Sequence, residues 1–310
     1  MKWSVDFLRP GHIGPAFLRG RAFLRRNAWP AALAASLGVL AVCSGILFYR
    51  LNVLPGQSDR SASDARSLFR ASSSAPQSPS SPAGFAVGQE YSFSALRAVN
   101  PDVKGWITIP GTAVDYPVLC PPAGRPDYYL THDWERNETK YGSIFLYGSA
   151  SGQKNVVLYG HSMKDGRMFA PLLQYTDAAF YSFHPTVRFQ IGNDAADWKI
   201  FAVIKANTDP SQGVPFDYQK TRFASTKSLS DFLGGVRTRS VLSLPVDVKP
   251  SDSLLTLSTC SYEFEGFRTV VFARRVRPGE SAEVRVAEAS RNAHALYPDC
   301  WYGSAGKKPW

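Results

Sequence analysis

Cysteine and histidine are scarce in this 310-residue chain, with four of the first (Cys43, Cys120, Cys260, Cys300) and five of the second. None of them falls in ligand-type pairs or zinc-finger spacing, so neither a metal nor any other cofactor is expected. A glycine-rich phosphate loop and an RNP-type aromatic motif are also missing, which argues against nucleic acid as the reason for the net charge of +10. No internal repeat is visible. Acidic residues are nearly absent from the first 27 positions, where Asp6 alone stands against Lys2, Arg9, Arg19, Arg21, Arg25 and Arg26. Much of the positive charge is therefore a matter of position.

Directly after that basic stretch comes a run without charge, AWPAALAASLGVLAVCSGILFY over residues 28–49. About 20 apolar residues cross a bilayer as a helix. Trp29 and Tyr49 suit the two interfaces, and the preceding arginines put the N-terminus on the cytoplasmic side. A cleavable signal would have an apolar core of only ~7–15 residues and an A-x-A-like site. The reading is a basic cytoplasmic tail over 1–27, an uncleaved transmembrane anchor over 28–49 and a cell-membrane protein whose folded part is extracellular. Residues 50–89 are rich in Ser, Ala and Pro, with little to bury, and read as a flexible linker. Residues 278–310 lose strand patterning and read as an accessory tail.

Between them, residues 90–277 hold short apolar or alternating runs bounded by Gly, Pro, Asp and Asn: 105–109, 116–119, 143–146, 155–159, 187–191, 198–206, 254–259 and 269–276. Eight such runs predict a mainly β domain, a closed or nearly closed barrel. A short helix is expected over 92–100, with Phe93, Leu96 and Val99 on one face, and another over 168–175. The long connection 207–248 contains Leu229, Phe232, Leu233 and Val236 at i, i+3, i+4 and i+7, a helix packed on the barrel before the cysteine strand.

Chemistry concentrates at three places. Cys260 ends the run Leu254-Leu255-Thr256-Leu257-Ser258-Thr259, His161 follows Val156-Val157-Leu158-Tyr159-Gly160, and Arg268 opens Thr269-Val270-Val271-Phe272. A thiolate nucleophile, an acid for the leaving amine and a permanent cation for an oxyanion make an acyl-transfer site. Taken alone, Cys260 reads first as a buried structural thiol, as most cysteines are, and Arg268 as an edge charge paired with Glu263 or Glu265. Outside a membrane, three cysteines are an odd number, which flags one free thiol. Cys260 would be that one, and whether Cys120 and Cys300 pair stays open. His12, His132, His184 and His294 are assigned to structure or solvent.

Thr256-Leu257-Ser258-Thr259-Cys260 matches the TLxTC pattern of the sortases, the cell-wall transpeptidases of Gram-positive bacteria. Tyr159-Gly160-His161-Ser162-Met163-Lys164-Asp165-Gly166-Arg167-Met168-Phe169 is similar to the histidine segment of class B in particular. Gly105-Trp106-Ile107 and Gly111 to Val118 also resemble class B, and the likeness spans roughly 90–277. It implies a sortase-like eight-stranded β-barrel with an N-terminal helix and a helix ahead of the cysteine strand. It implies Cys260, His161 and Arg268 as catalytic residues, with Leu130, Ser258 and Thr259 on the substrate side. Pro126 stands where class B commonly has asparagine, and Ser261 where some members have glutamate. Asp165 is expected to fix the histidine loop. The implied reaction is cleavage of a C-terminal sorting motif of NPxTx type after Thr, through a thioester, with transfer to an amine of a peptidoglycan precursor. The implied partners are surface proteins bearing that signal, besides the membrane. A pilin polymerase, a hydrolytic cysteine protease and a silent wall-binding domain are the alternatives.

Overall fold

The computed structural model describes residues 15–71, 92–149 and 152–303. Positions 1–14 of the expected basic tail, 72–89 of the expected linker and 304–310 of the expected C-terminal tail lie outside them. The chain divides into two units, residues 1–57 and 58–310.

In the first unit α1 (Pro15–Phe48) is one helix of 34 residues, followed by a π-helical turn, Tyr49–Val53. Among the described residues no helix is long and apolar enough to cross a membrane. This overturns the anchor expected over 28–49, and with it the single-pass cell-membrane placement and the membrane as a partner. Ser36, Gly38, Ser44 and Gly45 dilute the apolarity of that run.

A second helix, α2 (Leu54–Ala71), occupies the first half of the stretch expected to be a linker. Its part in the second unit is packed. Ala65 and Phe69 are buried, and the Phe69 ring stacks on Trp106 at 4.2 Å and on Phe93 at 5.6 Å. Trp134 Nε1 donates to the Ser61 carbonyl at 2.8 Å, and Arg66 lies 3.4 Å from the Asp115 carboxylate. The Ser- and Ala-rich composition hides this helix, but Ala65, Leu68 and Phe69 fall at i, i+3 and i+4, enough for one apolar stripe.

After α3 (Ser94–Val99), eight strands close a barrel. They are β1 (Val103–Thr108), β2 (Asp115–Leu119), β3 (Ile144–Leu146), β4 (Asn155–Tyr159), β5 (Thr186–Ile191), β6 (Asp194–Ala206) and, past the two-residue β7 (Leu242–Ser243), β8 (Leu254–Cys260) and β9 (Arg268–Arg275). Their order round the barrel is β1-β2-β3-β4-β8-β9-β6-β5. Each of the eight expected runs is one of these strands. The pairs β2–β3 and β4–β8 are parallel and the rest antiparallel. Strands β8 and β9 are buried almost throughout, which explains why they read as near-continuous apolar runs.

Helix α4 (Ala178–Phe183) precedes β5, and the stretch expected to be helical at 168–175 is a 3₁₀ segment, Ala170–Thr176. Helix α5 (Thr226–Arg239) starts where the Ser225 hydroxyl accepts from the Ser228 amide at 3.1 Å, a standard N-cap. It buries Leu229, Phe232, Leu233 and Val236 against Phe201, Ile204 and Phe272. The tail is part of the second unit. Its strand β10 (Ser290–Arg291) pairs with β7, and α6 (Asp299–Gly303) buries Trp301 against Phe267 and Tyr297 at 5.8 and 4.5 Å. Cys120 and Cys300 do not form a disulfide with each other. Aromatic packing and the β7–β10 pairing hold the tail.

At the end of β9 away from Arg268 lies an ion network. Arg274 is 1% exposed and grips Glu280 with two bonds of 2.7 Å, Lys199 reaches the same carboxylate at 2.8 Å, and Arg277 grips Asp252 with two of 2.8 Å. The Arg274 hydrogen bonds hold the Glu280 carboxyl well below its ordinary range. Burial pushes the Asp252 carboxyl up, but Arg277 outweighs it and the net direction is down. A depressed carboxyl stabilises the fold above its unfolded value and loses that contribution as pH falls through the folded one. Thermal midpoints are therefore expected to hold near neutrality and to fall below about pH 4. Glu280→Gln should melt lower at pH 7 and lose less on acidification. Parallel melting curves for parent and variant would contradict this.

Candidate active site

Strand β8 lies between β4 and β9. Along β4–β8 the parallel register matches Tyr159 with Ser258, the Gly160 amide donates to the Ser258 carbonyl at 3.3 Å, and the Thr259 hydroxyl donates to the Gly160 carbonyl at 2.7 Å. The next residues on the two chains are His161 and Cys260. Along β8–β9, Cys260 is the register partner of Arg268, and the Ser261 amide closes the turn on the Phe267 carbonyl at 2.9 Å. The three residues singled out by sequence therefore stand side by side at one rim, in the order His161, Cys260, Arg268. Adjacent strands put their backbones about 4.8 Å apart. Gly160 is needed for this approach, because a Cβ there would overlap the Ile144 and Phe169 side chains.

Each member is held by a separate device. His161 Nε2–H donates to the Leu130 carbonyl at 2.7 Å. A carbonyl only accepts, so Nε2 keeps its proton and Nδ1 is the nitrogen left to exchange one. The loop after His161 is closed by the Phe169 amide donating to the His161 carbonyl at 2.8 Å. Asp165 does brace that loop: its carboxylate accepts from the Tyr141 hydroxyl at 2.7 Å and from Arg167 Nη1 at 2.6 Å. Burial pushes the Asp165 carboxyl up, and those bonds more than reverse it. Tyr262, two residues past the cysteine, donates its hydroxyl to the Ser162 carbonyl at 2.5 Å and so ties the cysteine loop to the histidine loop.

Arg268 Nη1 donates to the Phe267 carbonyl at 3.1 Å, and among the described residues no carboxylate forms an ion pair with it. The pairing with Glu263 left open by the sequence is not made. Glu263 instead meets Lys205 Nζ at 2.6 Å.

A cleft of about 760 Å³ opens beside the rim. Pro121, Pro122 and Pro126 form one wall, and Tyr218, Gln219 and Thr221, from the connection ahead of the cysteine strand, form the other. Leu130 and Arg268 lie where it meets the catalytic rim, and neither Cys260 nor His161 is among its lining residues. The half-buried thiol of Cys120 also lines it. Of the residues expected on the substrate side, Leu130 lines the cleft. Ser258 and Thr259 are buried and do not line it, the first donating to the Tyr218 hydroxyl at 3.2 Å and the second to Gly160. Ser258 thus supports Tyr218 from behind, and Tyr218 forms the wall. The Leu130 carbonyl on His161 and the Lys205–Glu263 pair were not read from sequence. A backbone acceptor has no residue-type signal, and a lysine inside a strand looks like any outward charge.

Comparison with known proteins agrees with this geometry. The family model described as the sortase domain matches residues 107–276. The chain is 38% identical to sortase B of Listeria monocytogenes over 186 residues, 58% of this chain and 72% of that protein. It is 31% identical to sortase B of Staphylococcus aureus over 191 residues, 60% of this chain and 75% of that one. Among solved structures, sortase B from B. anthracis in complex with AAEK1 aligns with a TM-score of 0.60 at 27% identity, over 73% of this chain and 99% of that chain.

Proposed function

The chain belongs to the sortase family, whose members are cysteine transpeptidases acting on surface proteins with sorting signals, and from this we propose how its own residues carry the reaction. Cys260 is the nucleophile, His161 the proton carrier and Arg268 the oxyanion cation. The observation that carries the reading is the order of the three on adjacent strands, with the cysteine central and, among the described residues, no carboxylate in an ion pair with Arg268. The Cys260 thiolate attacks the carbonyl carbon of a threonine in the sorting motif. The C–S bond forms, Arg268 holds the oxyanion, and the C–N bond breaks as His161 gives its proton to the leaving nitrogen. A thioester remains on Cys260. An amine of a cell-wall precursor then attacks that carbonyl and loses its proton to His161, and sulfur leaves as thiolate. The motif we propose is of NPxTx type. The proline-walled, tyrosine-lined cleft leading to Arg268 supports an extended, proline-containing ligand.

The test is incubation of the full chain with NPxTx, SPxTx and LPxTx peptides, each with and without an amine acceptor. Mass spectrometry follows cleaved peptide, acylated enzyme and ligated product. The expected result is cleavage after threonine of NPxTx, an acyl adduct on the enzyme and ligation that needs the amine. Cleavage unaffected by any amine would make the enzyme a protease, and preference for another peptide would replace the motif.

A further inference from the structure

We propose that Lys205 is a positioning residue for Arg268, acting by holding Glu263 away from the guanidinium. This rests on the reading of Arg268 as the oxyanion cation. Between Cys260 and Arg268 the chain makes a tight loop with two carboxylates, Glu263 and Glu265. A carboxylate so near in sequence is the natural partner of an arginine, and an arginine already paired is a poorer holder of a developing oxyanion. Lys205 lies on β6 next to Ala206, the register partner of Arg268, and is itself opposite Thr269. Its side chain is 2% exposed, and its Nζ donates to Glu263 Oε1 at 2.6 Å and to the Thr269 hydroxyl at 2.7 Å. A lysine is almost never buried unless paired. Burial pushes the Lys205 ammonium down and the Glu263 charge resists that, while Lys205 draws the Glu263 carboxyl down against its own burial. The contact draws the Glu263 side chain toward β6. Glu265 is tied differently: its carbonyl accepts from Gln212 Nε2 at 2.9 Å, and the neighbouring Gly266 carbonyl from Thr208 at 2.9 Å. Among the described residues, Arg268 donates to the Gly266 and Phe267 carbonyls and forms no ion pair with a carboxylate.

The arrangement makes an unusual demand. Removing the lysine should harm catalysis more than removing its glutamate, and removing both should repair much of the harm. The experiment measures kcat and KM for acyl-enzyme formation, with the peptide the parent cleaves, in Lys205→Met, Glu263→Gln, the double variant and Arg268→Met. Lys205→Met is expected to lose about tenfold or more in kcat with little change in KM, because the defect lies in the oxyanion step. Glu263→Gln should stay within about threefold of the parent. The double variant should return to that level, since replacing a buried pair by neutral groups is often tolerated. If Lys205→Met does not fold, the double variant decides alone: folded and active supports the proposal, folded and inactive overturns it. A double variant as impaired as Lys205→Met, or Glu263→Gln impaired equally, would make the pair merely structural. Arg268→Met reports separately on the premise, which falls if that variant keeps parental kcat.

Discussion

Cys260→Ala is expected to abolish both cleavage and the acyl adduct while the protein still folds. Cys260 ends β8 at the rim and is half-buried, so truncating it removes one sulfur atom from a site that opens to solvent. The backbone bonds that set the rim, from Ser261 to Phe267 and from Thr259 to Gly160, do not involve its side chain. Loss of a nucleophile in a coupled site costs on the order of a millionfold in kcat, below detection in a peptide assay. Melting temperature and circular dichroism should match the parent. Residual acylation would point to Cys120, the thiol that lines the cleft, and would move the chemistry off the His161–Cys260–Arg268 rim.

Arg268→Lys should cost about a hundredfold or more in kcat, the scale seen when one oxyanion donor is removed. The substitution keeps the positive charge, so it separates charge from geometry. Nη1 of Arg268 is bonded to the Phe267 carbonyl, which fixes the plane of the guanidinium and leaves its other N–H groups for substrate. A lysine has no second nitrogen with which to anchor itself and donate at once. A drop of less than about threefold would mean that charge alone suffices. Thermal stability should hardly change, because no ion pair is broken among the described residues.

The barrel was legible because each strand is a short apolar run bounded by Gly, Pro, Asp or Asn, and burial on both faces makes β8 and β9 unmistakable. The rim was legible because Cys260, His161 and Arg268 each sit at a strand end within a motif. What escaped detection depends on tertiary partners. Helix α2 carries one thin apolar stripe in a Ser-rich segment, and its packing depends on distant partners such as Trp106 under Phe69 and Trp134 on Ser61. The tail lacks strand periodicity, and it is held by a tryptophan between Phe267 and Tyr297 together with the short β7–β10 pairing. The paired strands β7 and β10 have two residues each, too short for any pattern. The expected anchor failed for a different reason: the run 28–49 was read from its length and lack of charge, whereas among the described residues no helix is long and apolar enough to cross a membrane. Ser258 and Thr259 matched a motif by type, but alternation along β8 cannot say which hydroxyl the barrel itself uses.

The parallel pairing of β4 with β8 also sets when the enzyme becomes reactive during its own folding. Cys260 and Arg268 meet across a short hairpin loop, a contact that closes early at little entropic cost. Histidine joins them only when β4 finds β8, and Gly160 and Thr259, which bond there, are 99 positions apart. Such distant pairings come late and slowly. On the proposed roles, a nascent chain would bring the thiol and the arginine together before the proton carrier, and the site would be completed only as the barrel closes.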